Sequence, residues 1–275
     1  MKKFTKIMSL LLAGTMLLGA VGCGGDAAVE SEAEGTTAEA SSEGGSASVT
    51  TVQEGKLIWG TNAAFEPYEY MEGDQVVGID AEIADAIAAK LGLEAQVENM
   101  DFDAIIPAVT SGKVDIGIAG MTVNEERLKN VSFSEPYVEA GQAIIVKEGS
   151  DIKSAADLNG KVVGVQRGTT GDEYVSDEAN GVAVSSVERY ANGPDAAQSL
   201  LAGKIDAVVI DNEPAKKIVE NATGLVKLEE NLTSEQYAIA VPKDKAELLD
   251  AINGALKEMQ ESGELQAILD KYLNK

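Results

Sequence analysis

The chain has 275 residues, with 46 acidic against 22 basic, a net charge of −24, no histidine and one cysteine. So acidic a surface repels nucleic acid and anionic lipid headgroups, and no nucleic-acid partner is expected. Lacking histidine, and with its single thiol near the start, the chain cannot build a Ser-His-Asp or Cys-His catalyst or a disulfide framework. No catalytic residue, cofactor or metal is expected.

Residues 1–22 have the layout of a secretory signal, with Lys2, Lys3 and Lys6 followed by an apolar stretch from Ile7 to Val21. That stretch is short for a membrane span. It ends in "AVGC", which resembles a bacterial lipoprotein signal, although Ala20 stands where such signals prefer Leu. The resemblance implies that Cys23 is lipidated and anchors the chain to the outer face of the cell membrane. Residues 23–53 are mostly Gly, Ser, Ala, Thr and Glu. Such a segment buries too little apolar surface to offset its ordering entropy, so a flexible acidic linker is expected.

From residue 54 onward strand and helix signals alternate, the pattern of an α/β fold with mostly parallel strands. "KLIWGT" reads as a strand. "DAEIADAIAAKLG" reads as a helix with Ile83, Ile87 and Leu91 on one face, Asp80 as N-cap and Gly92 as stop. Strands are expected at "EAQVEN", "GKVVGVQ", "GVAVSSV", "IDAVVID" and "YAIAVP", and closing helices at 246–261 and 264–273. "VTSGKVDIGIAG" and "LLAGKIDAVVID" echo one another as helix end, Gly-Lys-x-Asp and buried strand. Two similar lobes would then each present a strand's carboxyl end, carrying Gly120 in one and Asp211 in the other. Ligands of open α/β sheets bind outside such ends.

Arg127 is an oddity on this map. Thr122 and Glu125 have capping-box spacing, which places Arg127 in the first turn of a helix, where the dipole disfavours a cation. Either it pairs with Glu125 or Glu126 on the surface, or it joins the helix N-terminus in gripping an anion bidentately.

Five stretches decide between these: "GTNAAFEPYEY" (60–70), "GIDAEIADAIAAKLG" (78–92), "DFDAIIPAVTSGKVDIGIAGMTVNEERLKNVSFSEPY" (101–137), "GKVVGVQRGTT" (160–170) and "IDAVVID" (205–211). Together they make residues 54–275 resemble the bacterial extracellular solute-binding proteins for amino acids, the receptors of ABC importers. The resemblance implies a two-lobed periplasmic-binding-protein-like fold of type II, each lobe a central, mostly parallel sheet flanked by helices. Lobe 1 would comprise 54–138 plus 239–275 and lobe 2 139–238, with crossings near 137–142 and 235–239. It also implies a free amino acid in the cleft, with Arg127 clamping its carboxylate and Gly168, Thr169 and Thr170 forming a second carboxylate-binding loop. Thr122 would contact the ligand through backbone and hydroxyl, while Gly120 and Asp211 receive its ammonium and Phe65 and Phe102 sandwich it. Permease subunits are the implied partners, and a monomer the implied state.

Ligand identity is less legible. Asn62 occupies a position that often carries Asp in relatives binding basic side chains, which argues against lysine or arginine. Glu66 and Glu69 would restore an acidic wall unless solvated, and Gln166 and Arg167 lie beside the second-lobe loop. A polar amino acid is expected. The rival classes are a cleft enzyme using a carboxylate of raised pKa, for which Glu66 is the obvious candidate, and a surface adhesion protein.

Overall fold

The computed structural model describes residues 49–274, so Cys23 and the expected signal lie outside the described residues, as does all but the end of the expected linker. Two five-stranded sheets organise the fold, and the sequence echo is their common plan.

The first sheet begins with β1 (Lys56–Thr61). A small antiparallel sheet follows, made of β2 (Ala64–Phe65), β3 (Glu69–Glu72) and β4 (Gln75–Val77). Helix α1 (Ile79–Lys90) leads into β5 (Glu94–Asn99), and α2 (Ile105–Thr110) into β6 (Ile116–Gly117). The single turn α3 (Glu125–Leu128) precedes β7 (Val131–Phe133). Next comes β8 (Val138–Ala140), and then β9 (Gln142–Lys147), β10 (Val162–Gln166), α4 (Thr170–Ser176) and β11 (Ser186–Tyr190). Helix α5 (Gly193–Leu201), β12 (Ala207–Asp211), α6 (Asn212–Asn221) and β13 (Leu225–Lys227) complete the second sheet. The chain returns through β14 (Glu235–Tyr237) to β15 (Ala240–Pro242) and ends in α7 (Ala246–Ser262) and α8 (Glu264–Leu273).

The sheet orders are β5-β1-β6-β15-β7 and β11-β10-β12-β9-β13. In each, three neighbours run parallel and the fourth strand is reversed against both of its neighbours, so four of the five share a direction. β8 and β14 pair with each other as a separate antiparallel ribbon where the chain passes between the sheets. No helix among the described residues is long and apolar enough to cross a membrane.

The two Gly-Lys-x-Asp turns do the same work. Asp115 accepts from the Ile58 N–H at 2.7 Å and Asp206 from the Val162 N–H at 2.8 Å, while each aspartate's own N–H bonds back to the carbonyl of that residue at 2.8 Å. Each carboxylate thus ties a helix–strand turn to the start of the neighbouring parallel strand and sets its register. Asp115 is also bonded by Val52 N–H, and it is buried where Asp206 is exposed.

Two expected details come out differently. Asp80 is not the cap of α1; Gly78 is, and Asp80 points into the interior. "GVAVSSV" is irregular up to Ser185 and the strand runs on to Tyr190 instead, because β11 must match β10 from Val162 to Gln166.

Removing the Asp115 carboxylate orphans two N–H groups. Asp115→Ala should lower the melting temperature by about 2–10 °C, from roughly 1–3 kcal/mol lost, and Asp206→Ala by less; equal shifts in thermal melts would refute the burial argument.

Candidate functional site

Both sheets point the carboxyl ends of their parallel strands into one cleft. The turns after β1 and β6 bring Asn62, Phe65 and Gly120, while β10 and β12 deliver Gln166, the Thr169–Thr170 corner and Asp211. Around them lies a narrow, nearly filled cavity. Of the twelve residues expected to meet a ligand, ten line it: Asn62, Phe65, Phe102, Gly120, Thr122, Arg127, Gln166, Thr169, Thr170 and Asp211. Gly168 and Glu66 do not. The Gly168 carbonyl instead accepts from Arg127 Nη2 at 3.2 Å, and Glu66 turns toward an outer groove beside Lys217.

Arg127 is 6 % exposed, which rules out the surface ion pair. The cap of α3 is Asn124 rather than Thr122: its side chain accepts from Arg127 N–H at 2.8 Å. The guanidinium donates to the Thr122 carbonyl at 2.7 Å and lies 5.3 Å from the centre of the Phe102 ring. Carbonyls and a ring face orient the group without neutralising it. Burial pulls its pKa below the ordinary value, and the charges of Glu173, Asp211 and Glu235 act in the opposite direction.

The opposite wall is acidic. Asp211 occupies the N-cap position of α6 but makes no cap bond; its carboxylate accepts from Tyr237 Oη. Burial, then the charge of Glu235, raises its pKa to about 7. Asp80 accepts from Gly120 N–H at 2.7 Å and from Tyr137 Oη at 2.9 Å, and burial raises it to about 6. Glu69, 1 % exposed, forms part of the cavity wall, its carboxyl group beside Asp80 and the Thr61 hydroxyl and without a paired cation among the described residues. Burial, with the Asp80 charge next, holds its pKa well above the carboxylate range. Gly120 is required by this packing: its φ is +51°, and a Cβ would lie 2.6 Å from the Phe65 ring.

The cleft is closed. Gln166 Nε2 donates to Asn62 Oδ1 across it at 3.0 Å, and Asn124 Nδ2 to Glu173 at 3.0 Å. Arg167, half exposed, reaches Asp103 at 3.1 Å.

Glu235 and Tyr237 are parts that sequence reasoning left out, and Glu69 it left open between acidic wall and solvated surface. For Glu69 a signal existed, since "FEPYE" folds back as a hairpin that pairs Glu69 with Phe65. Tyr237 had none, as it sits inside an apolar run.

Residues 57–275 match the family described as bacterial extracellular solute-binding proteins, family 3. The chain belongs to that family. The arginine-binding extracellular protein ArtP of Bacillus subtilis is 39 % identical over 220 residues, 79 % of this chain and 86 % of the relative. Among solved structures, an ancestral arginine-binding protein bound to arginine is 46 % identical with a TM-score of 0.76, covering 79 % of this chain and 98 % of its own. The same description bound to glutamine gives 46 % and 0.76, over 81 % and 100 %. As a family 3 member the chain is a solute receptor, and its two-lobed α/β fold is the expected one.

The carboxyl groups of the acidic wall hold protons more tightly folded than unfolded. Their contribution to stability is therefore full below the unfolded pKa near 4 and is lost as pH rises to about 7. Melting of the ligand-free protein should fall across this window, by on the order of a few kcal/mol in all. Asp211→Asn should flatten the slope; a profile rising from pH 4 to 7 would contradict the assignment.

Proposed function

We propose that this chain is an extracytoplasmic receptor that captures a free amino acid with a cationic side chain between its lobes and delivers it to the permease of an ABC importer. Amino-acid capture for import is the common theme of its relatives. The cationic preference rests on one observation, the buried Glu69 carboxyl in the cavity wall beside Asp80, with no cation paired to it among the described residues.

The charge count makes the case. Arg127 answers an α-carboxylate, in bidentate geometry, with the Thr169–Thr170 corner beside it. Asp211 and the Gly120 carbonyl answer an α-ammonium. A zwitterion uses these and leaves Glu69 facing a neutral group. A guanidinium or second ammonium gives Glu69 the cationic partner that it otherwise lacks. Asn62 does not replace a missing acid, because both its amide atoms are committed, Nδ2 to the Met100 carbonyl and Oδ1 to Gln166. Phe65 and Phe102 would flank the ligand. This favours the side chain that several relatives are named for, arginine, within the broader expectation of a polar amino acid.

The other parts of the reading rest on the resemblance to lipoprotein signals and to the family: a lipid on Cys23 holding the receptor at the outer face of the membrane, a monomer, and capture without chemical conversion.

A thermal-shift screen against the twenty amino acids tests it. L-arginine or L-lysine at about 100 times Kd should add roughly 2.7 kcal/mol, a shift of several degrees, and Arg127→Ala should abolish every response. A largest shift from an acidic or aliphatic amino acid would refute the cationic reading. Glu69→Gln should weaken L-arginine about 10–100-fold while changing L-glutamine by a few-fold at most. For the native chain, L-arginine affinity by titration calorimetry should rise from pH 6 to 8, because the cation needs the carboxyl groups ionised; a pH-independent affinity would count against Glu69 as its partner.

A further inference from the structure

Glu235 is buried on β14, in the ribbon between the two sheets, and does not line the cavity. Three threonine hydroxyls converge on its carboxylate. Thr122 Oγ1 donates to Oε2 at 2.6 Å, Thr170 Oγ1 to the same oxygen at 2.8 Å, and Thr233 Oγ1 to Oε1 at 2.6 Å. Thr122 follows β6 of the first sheet and bridges to Tyr237, Thr170 opens α4 beside the second sheet, and Thr233 precedes β14 itself. Gln142 completes the chain by donating from Nε2 to Thr170 Oγ1 at 3.1 Å.

We propose that Glu235 is the clasp of the closed receptor, a positioning residue that draws one threonine from each lobe onto a single oxygen. A hydroxyl carries one proton. With those of Thr122 and Thr170 committed to Glu235, both hydroxyls present only lone pairs to the cavity. A ligand carboxylate is then held by Arg127 and backbone N–H groups, not by the threonine hydroxyls that the family resemblance implied for Thr122. At 2.6 and 2.8 Å these are short hydroxyl bonds, and opening the cleft separates Thr122 from Thr170, so at least one is lost. Closure, and through it affinity, depends on a residue outside the cavity. The inference rests on amino-acid capture but not on which amino acid is captured.

The test pairs an interlobe distance with affinity. Spin labels at Lys129→Cys and Glu178→Cys, both exposed and one in each lobe, are placed in the chain carrying Cys23→Ser. Pulsed dipolar spectroscopy without ligand should show Glu235→Gln shifted to longer distances than the parent. L-arginine and, separately, L-glutamine should bind it about 10–100-fold more weakly, mainly through faster dissociation, with its melting temperature within a few degrees of the parent's. Thr170→Val should produce the same opening, and the double variant should be no worse than either single one, since both act through one contact. Parent-like distances with affinities within twofold would overturn the clasp, as would full additivity with Thr170→Val. Should Glu235→Gln not fold, parent-like distances in Thr170→Val alone would overturn it. If neither amino acid binds the parent, the ligand assignment fails while the distances still decide the clasp.

Discussion

A single buried guanidinium sharing a closed cavity with two buried carboxyl groups, Asp211 and Glu69, is the constraint on which the rest of this structure depends. Arg127 cannot shed its proton, and its hydrogen-bond partners in the cleft are carbonyls. Asp211 and Glu69 in the cavity wall, and Asp80 bonded to the Gly120 N–H, are all nine-tenths or more buried. In a closed cleft of low dielectric such an imbalance is costly, and these carboxyl groups relieve it by holding protons to unusually high pH. A ligand with an anionic head and cationic groups relieves it better. The same electrostatics therefore make closure around the right solute more favourable, which is how a binding protein converts occupancy into shape.

The acidic wall also shows how a catalyst-like pKa arises from burial and neighbouring charge. Raised carboxyl pKa values in a cleft are the usual sign of general acid–base work. Here Asp211 and Asp80 have tyrosine hydroxyls as partners, and Asp80 fixes the Gly120 N–H and so the strap that carries the Gly120 carbonyl. These groups are fixed in place, as suits recognition of charge.

The two sheets explain why so little sequence suffices to build the site. Each places a Gly-Lys-x-Asp turn ahead of its third strand, and each aspartate clips that turn to its neighbour. The strand then ends at the cleft, bearing Gly120 in one lobe and Asp211 in the other. One structural unit used twice yields an amide-and-carbonyl strap on one side and a carboxylate on the other, and Tyr237 from the connecting ribbon touches both.

The sequence by itself determined the alternation of strand and helix, the repeated turn and the closing helices, and the family resemblance carried by its motifs pointed to most of the cavity wall. Those features are local periodicities or contiguous motifs. It misplaced the caps of α1 and α3, because Asp80 and Thr122 have cap-like side chains whose true partners, Gly120, Tyr137 and Glu235, lie 40, 57 and 113 residues away. It also put Glu66 in the site with only an open alternative for Glu69, since which of two glutamates turns inward is settled by how the hairpin packs on Gly120 and Phe65. The tertiary structure alone decided that Glu69 is buried without a paired cation and that Glu235 gathers threonines from both lobes. Burial and convergence of this kind depend on how distant segments pack, and no pattern within one segment encodes them.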